Sequence, residues 1–286
     1  MKVKELGIKK TEILIDYDYV WGLLNRSGLN VSFSRPEIYV GSEHVDKFFE
    51  IASQKSLVVA NSTEAVYDWK ADAIYINDEL INGAGYSRSN LCSSRRLVLL
   101  HELIHAFLFH NNKRFGEEQD ALTKSENKRS QERGWVYTVF DEGFAIRLTE
   151  LILTFWSDVQ DGEFASSLAL ILKDEYRELK SDKDFRLRAL ILKLPWPESG
   201  WKKVALRWFE KHPHGLYGLS YVLGYNFTEH IIQDLNKNSI DMVSRIVETP
   251  PSRVEHILYP QRYLSQKVFP KMQKSIGQNR NPHSKL

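Results

Sequence analysis

The stretch LVLLHELIHAFLF at residues 97–109 carries the most specific pattern in this chain. His101 and His105 are four residues apart, so on a helix their two imidazoles lie on the same face. Glu102 lies beside them. The flanking residues are apolar nearly all round the helix, which predicts that it is buried in a domain core. Buried polar side chains need partners, because burying them unpaired costs free energy.

The spacing of these three side chains matches the pattern H-E-x-x-H. Two neutral imidazoles at this spacing can bind one zinc ion, and the adjacent glutamate can reach a zinc-bound water without being a ligand. The same pentapeptide also arises by chance, in which case the histidines would be core residues hydrogen-bonded to carbonyl groups. We expect the metal site, because a metal would satisfy two of the three buried polar side chains.

A third ligand does not follow at the spacing of the metzincin pattern. That pattern requires Gly three residues after the second His and a third His six residues after it, and the chain has Leu108 and Asn111 there. His110 is one residue short of the required position and, on a helix, points away from the predicted metal face. The third ligand must therefore come from another segment.

The segment DEGFA at residues 141–145 supplies the best candidate, Glu142. It begins a helical pattern, and the small Gly143 and Ala145 would allow close packing against the first helix. The alternative is that Glu142 is a glutamate near a helix start, where the helix dipole favours an acidic side chain.

In these two segments the chain resembles the gluzincin peptidases, the group that contains thermolysin and the aminopeptidase N family. Their third zinc ligand often lies in a segment reading N/D-E-G-F-A, and here 36 residues separate His105 from Glu142. The resemblance implies one zinc ion per chain bound by His101, His105 and Glu142, with Glu102 as general base. It also implies a zincin-like α+β fold and a peptide or protein substrate.

The chain departs from both named branches of that group. Thermolysin relatives carry Asp four residues after the ligand Glu, where this chain has Ile146. Aminopeptidase N relatives carry Glu seven residues after it, where this chain has Thr149, followed by Glu150. The residues that orient the zinc ligands are therefore not assigned from the sequence. The Gly-rich exopeptidase segment is also missing, so the choice between endopeptidase and exopeptidase stays open.

A tyrosine-rich segment further along is the candidate source of an oxyanion donor. Tyr217, Tyr221 and Tyr225 are spaced by four and share one helical face, a pattern that more often reflects core packing. The YVLG sequence at 221–224 resembles the Y-x-x-G helix that holds the oxyanion tyrosine in aminopeptidase N relatives. Tyr221 is therefore the second predicted catalytic residue, with Tyr217 and His214 as alternatives.

Periodicity divides the chain into three parts. Residues 1–92 predict an N-terminal α/β lobe with a small mixed sheet, residues 93–270 a predominantly helical catalytic lobe, and residues 271–286 a disordered tail. Within the first lobe, the pattern predicts helices at 15–24 and 44–52 and strands at 37–40, 57–60 and 72–77. The strand predicted at 72–77 is either the edge strand that binds substrate or an ordinary interior strand. The charged stretch 111–134 predicts a loop between the ligand helices, either a lid or a plain solvated loop.

Composition excludes several classes of partner. The formal net charge is only +2, which does not indicate nucleic-acid binding. The single Cys92 rules out an intrachain disulfide and a cysteine-based zinc site. The N-terminus lacks the apolar segment of a signal peptide and no run approaches membrane-spanning length, so we expect a cytoplasmic protein without a membrane partner. The oligomeric state is not indicated.

These observations together predict a zinc metallopeptidase. One alternative is a catalytically inactive protein that uses the metallopeptidase fold for binding, but a purely structural zinc site has no need of Glu102. A second alternative is a helical interaction protein with an accidental motif, which metal analysis would distinguish.

Overall fold

A computed structural model of the protein describes residues 2–40, 44–53, 65–77, 88–156, 224–225, 227–233, 235 and 237–269. Over these residues the chain is α+β, mostly helical with one three-stranded sheet, as the sequence predicted at this level. The elements are α1 (Lys2–Arg26), β1 (Glu37–Val40), α2 (Val45–Ser53), β2 (Ala65–Asp68), β3 (Ala73–Ile76), α3 (Arg88–Asn111), α4 (Lys113–Thr123), α5 (Lys128–Trp156), α6 (Lys237–Glu248), α7 (Val254–Leu258), α8 (Pro260–Tyr263) and a π-helix (Leu264–Val268). Residues 227–231 are also helical.

The sheet has the strand order β1-β3-β2, with β1 parallel and β2 antiparallel to β3. Because side chains alternate along a strand, its two faces enter different cores. Tyr67 and Ile74 belong to the face that joins the main helical core, whereas Val66 and Tyr75 cluster with Phe48 of α2. The sheet is therefore covered by α2 on one face and by the helical lobe on the other.

The strand predicted at 72–77 is observed as β3, but it is paired on both sides. The prediction that this strand forms a substrate-binding edge is therefore wrong, and the interior alternative is correct. Among the described strands, β2 lies at the edge next to α3. The hydrophobic pattern of β3 does not reveal how many neighbours it pairs with, which is why the sequence left both possibilities open.

Helix α3 packs against α1, β2 and α5. Arg95 of α3 forms a buried ion pair with Asp16 of α1, with Nε 2.7 Å from Oδ2. One continuous cluster of buried apolar side chains runs from Ile13 to Val268. The predicted lobe boundary at residue 92 falls inside α3, and the described parts of both lobes share this core.

The stretch 111–134 was predicted as a loop, but it is helical over most of its length, so that prediction is wrong. Asn112 caps α4, its side chain accepting a hydrogen bond from the backbone N–H of Phe115. The Phe115 side chain is buried in the main core. Lys124 pairs with Asp120 one helical turn away at 2.9 Å. Capping and a few buried anchors thus allow a mostly polar segment to form a helix.

Other predicted elements have separate outcomes. The helix predicted at 15–24 forms part of the longer α1, and the strand at 37–40 and the helix at 44–52 are confirmed as β1 and α2. The strand predicted at 57–60 and the tail at 271–286 lie outside the described residues. None of the described helices has the combination of length and apolarity needed to cross a bilayer.

Candidate metal centre

Helix α3 presents His101, Glu102 and His105 in its interior turns, where the sequence predicted a buried helix. The His105 side chain is 4% exposed and that of His101 is 15% exposed, with Glu102 also buried. The two imidazole rings are 4.6 Å apart between centroids and nearly perpendicular. Their Nε2 atoms approach to 3.0 Å. The four-residue spacing therefore brings the two rings to one point, as the helical period requires.

Glu142 reaches the same point from α5, which packs against α3. Its Oε2 atom lies 3.3 Å from His101 Nε2 and 3.5 Å from His105 Nε2. The Glu142 side chain is only 1% exposed. It occupies the middle of a 29-residue helix, so the prediction of a carboxylate near a helix start is wrong. The alternative that the helix dipole favours an acidic side chain at Glu142 is wrong as well, because the helix dipole acts only in the first and last turns of a helix.

The three donor atoms form a nearly equilateral triangle with sides of 3.0, 3.3 and 3.5 Å. Zinc–ligand bonds of about 2.0 Å at tetrahedral angles separate two ligands by about 3.3 Å. The triangle thus has the dimensions of one face of a tetrahedral zinc site. Two imidazoles and one carboxylate are also a ligand set that zinc accepts, and three protein ligands leave a fourth position for water or substrate. These residues therefore fit a zinc ion.

Asp141 orients His105 from the opposite side of its ring. Its Oδ1 atom lies 2.6 Å from His105 Nδ1, and both side chains are buried. A proton shared on Nδ1 leaves Nε2 directed at His101 and Glu142, which is the arrangement that metal-bound histidines usually show. Burial lowers the pKa of His105, but the nearby carboxylates of Asp141 and Glu142 outweigh it and raise that pKa well above its ordinary value.

Glu102 is held against the sheet edge. Its Oε2 atom accepts a hydrogen bond of 2.7 Å from the backbone N–H of Tyr67 on β2. A carboxylate oxygen of Glu102 also lies within 4.8 Å of the imidazole nitrogens of His101 and His105. The carboxylate is therefore beside the donor triangle while anchored to the neighbouring strand, a geometry that suits a base acting on a metal-bound water.

Gly143, the residue after Glu142, does not make its closest approach to the first helix as predicted. A Cβ atom at this position would lie 1.8 Å from the carbonyl carbon of Gly224. The sequence correctly identified a close helix contact at Gly143, but its partner is a segment about 80 residues further along the chain. The contact places the backbone of α5 at Gly143, one residue after Glu142, directly against Gly224.

The two positions where gluzincin relatives carry orienting acids do not serve that purpose here. Ile146 is in the apolar core, and Thr149 is buried. Glu150 accepts hydrogen bonds from Arg147 at 2.6 Å and from the Tyr225 hydroxyl at 2.7 Å. Tyr225 is thus a core tyrosine that ties α5 to the helical residues 224–225, as the packing alternative predicted for this position.

The predicted oxyanion donor Tyr221 lies outside the described residues, as do its alternatives Tyr217 and His214. In the chain, Tyr221 precedes Gly224 by three residues. Its assignment stays a prediction.

Sequence reasoning missed two contributors to the site. Asp141 directly precedes the candidate ligand Glu142, and an acid in that position is a usable signal for a residue that orients a metal-binding histidine. Tyr67 contributes through its backbone N–H, which no side-chain pattern can indicate. The contribution of Tyr67 therefore becomes evident only when β2 is brought against α3.

Comparisons of the chain with protein-family models, curated proteins and solved structures found no match. The geometry of the site itself therefore carries the functional argument.

Proposed function

We propose that the protein is a zinc-dependent peptidase of gluzincin type, built on a zincin-like fold. The observation that carries this proposal is the donor triangle of His101, His105 and Glu142, with its three sides between 3.0 and 3.5 Å. The buried Glu102 carboxylate beside it is the second support. A structural metal site would need the triangle but not the adjacent base.

Each residue of the site has a role in the proposed hydrolysis. Bound zinc would polarise the scissile carbonyl and lower the pKa of a water molecule. Glu102 accepts the proton of that water and passes it to the leaving amine. The Tyr67 N–H holds one oxygen of Glu102 so that the carboxylate keeps its position. Asp141 keeps His105 in the tautomer whose Nε2 faces the metal position.

The substrate-binding strand is β2 in this proposal, in place of the strand predicted at 72–77. β2 is the described strand whose outer edge lies beside Glu102. Backbone N–H and C=O groups along a strand edge can pair with an extended peptide irrespective of its side chains. A peptide or protein substrate is therefore the partner that this arrangement favours.

Metal analysis is the first test. We expect about one zinc ion per chain after purification and zinc supplementation. His101→Ala and His105→Ala should lose the metal, and Glu142→Ala should weaken its binding strongly. Glu132→Ala is the matched control, since this exposed glutamate lies on the same helix as Glu142 but away from the site. Absence of zinc from the supplemented wild-type protein would refute the ligand assignment.

The catalytic test uses Glu102→Gln, which keeps the shape of the side chain and all three ligands but removes the proton acceptor. A digest of a peptide mixture, followed by mass spectrometry, should reveal cleavage by the zinc-loaded wild type. Glu102→Gln should retain zinc and lose nearly all of this cleavage. If both proteins bind zinc and neither cleaves any peptide, the alternative of a binding module with an inactive site is favoured. Equal cleavage by both proteins would exclude the mechanism.

A further inference from the structure

We infer that Tyr67, Asp72 and His110 form a positioning network, here termed the hairpin anchor, which holds the base Glu102 in place through strand β2. This inference rests on the proposed peptidase function and deepens it. None of the three side chains belongs to the donor triangle, so their role is in positioning and they are not catalytic residues.

Tyr67 takes part in the network through both its backbone and its side chain. Its backbone N–H donates to Glu102 Oε2 at 2.7 Å, and its side-chain hydroxyl donates to Asp72 Oδ1 at 2.9 Å. His110 Nε2 lies 2.8 Å from the same Asp72 oxygen. Glu102 and His110 are eight residues apart on α3, about 12 Å along the helix axis. Helix α3 therefore contacts the β2–β3 hairpin at two separate points, with Tyr67 between them.

Asp72 adopts a backbone conformation that an aspartate does not adopt by preference. Its φ angle is +51°, in the left-handed region that favours glycine. Such a conformation persists where the surrounding structure determines it, and it concentrates at functional sites. The side chain of Asp72 binds both Tyr67 and His110, so glycine would relieve the backbone strain but remove the anchor.

The turn that contains Asp72 is itself held on several sides. His110 stacks on Phe33 with ring centroids 4.4 Å apart, and Trp69 stacks on Phe109 at 6.2 Å. Gly116 of α4 leaves room for this arrangement, because a Cβ atom there would lie 2.5 Å from the Phe109 ring. Lys70 in the turn pairs with Asp120 of α4 at 3.1 Å. These contacts therefore fix the position of the hairpin and, with it, the position of the Tyr67 backbone N–H.

Loss of the anchor should affect turnover more than binding. The Glu102 carboxylate is positioned through the Tyr67 amide, and a displacement of about 1 Å in a catalytic group can cost about 100-fold in rate. The donor triangle, by contrast, is built from α3 and α5 and does not include the hairpin. Zinc content and KM should therefore remain close to wild type when the anchor is removed.

The test compares Asp72→Gly with Asp72→Asn. Glycine removes the acceptor oxygen without adding backbone strain, whereas asparagine keeps an acceptor and tolerates the left-handed conformation. We expect kcat to fall about ten-fold or more for Asp72→Gly, with KM and zinc content unchanged, and to stay within about two-fold of wild type for Asp72→Asn. Tyr67→Phe, which removes only the hydroxyl, should lower kcat in the same direction if Asp72→Gly fails to fold.

A second measurement does not depend on activity. In protein labelled with ¹⁵N-tyrosine, the Tyr67 amide is the signal that disappears in Tyr67→Phe. Its hydrogen exchange, measured with and without zinc, should be faster in Asp72→Gly by about ten-fold or more and unchanged in Asp72→Asn. If the Tyr67 amide of Asp72→Gly exchanges as slowly as that of the wild type, the proposed anchor is wrong. It is also wrong if the wild type cleaves peptides and Asp72→Gly shows faster exchange with an unchanged kcat. If the wild type cleaves nothing, the proposed function fails, while the exchange comparison still decides whether the anchor holds the amide.

Discussion

Gly143 and Gly224 are in direct backbone contact, and this contact lies one residue from the candidate ligand Glu142. A Cβ atom on Gly224 would lie 1.9 Å from the carbonyl oxygen of Val139, and one on Gly143 would lie 1.8 Å from the Gly224 carbonyl carbon. Only hydrogen atoms fit at either position. The approach of these two segments therefore helps to determine where α5 places Glu142 relative to the histidines of α3.

Gly143→Ala should destabilise the protein, by about 1–3 kcal/mol or more in free energy of unfolding, because both neighbours are backbone and neither can move aside. In a helix interior without this contact, Ala is instead about 1 kcal/mol more favourable than Gly. Gly22→Ala on α1 is the matched control, since its added Cβ would be 3.8 Å from the flexible end of Arg26. Urea unfolding of both variants checks the prediction, which is wrong if Gly143→Ala is as stable as Gly22→Ala.

Asp141→Asn should weaken zinc binding by about 10- to 100-fold, because the negative charge beside His105 is lost. The amide oxygen of the asparagine can still accept a hydrogen bond from His105 Nδ1. Titration with zinc in competition with a chelator measures the affinity. Glu132→Gln on the same helix, which removes an exposed carboxylate, should leave the affinity at the wild-type value. Equal affinities for Asp141→Asn and wild type would show that the 2.6 Å contact to His105 plays no part in metal binding.

Tyr221→Phe should lower kcat by about ten- to a thousand-fold if its hydroxyl stabilises the oxyanion, with little change in zinc content or melting temperature. Tyr225→Phe should instead lower stability by about 1 kcal/mol and leave kcat nearly unchanged, because its hydroxyl donates to Glu150 in the core. Steady-state kinetics and thermal melts distinguish the two cases. If only Tyr217→Phe loses much of its rate, Tyr217 replaces Tyr221 as the oxyanion donor. If none of the three tyrosine variants loses rate, His214 is the remaining candidate.

His256 should make the protein less stable in mild acid. Burial lowers the pKa of His256, and its Nδ1 accepts the Ser252 N–H at 3.2 Å, an interaction that protonation would remove. The unfolded chain, with an ordinary histidine pKa of about 6.5, takes up a proton more readily than the folded chain. The contribution of neutral His256 to the stability of the protein is therefore complete above about pH 6.5. It is lost as the pH falls through the lowered pKa that His256 has in the folded protein.

The measurement for His256 is the unfolding free energy in urea at several pH values between about 7.5 and 5. His256→Asn keeps an acceptor but cannot be protonated in this range, so its stability should fall less steeply with acid than that of the wild type. Parallel curves for the two proteins would contradict the assignment.

The sequence alone determined which side chains of α3 share a face. His101 and His105 are four residues apart, and the helical period makes their convergence a local property of the chain. The apolar flanks correctly predicted that α3 is buried. The DEGFA segment correctly predicted a helix, and the small Gly143 correctly predicted a close contact, although its partner is Gly224 and not α3.

Only the tertiary structure decided what meets this face. The approach of Glu142 to His101, the support of His105 by Asp141 and the anchoring of Glu102 by the Tyr67 amide all join residues more than 30 positions apart. Periodicity reports the environment of each segment, but not which segment lies opposite it. For the same reason the sequence could not assign the sheet edge to β2: pairing depends on backbone hydrogen bonds between distant strands, and these leave no signature in the side-chain pattern of either strand.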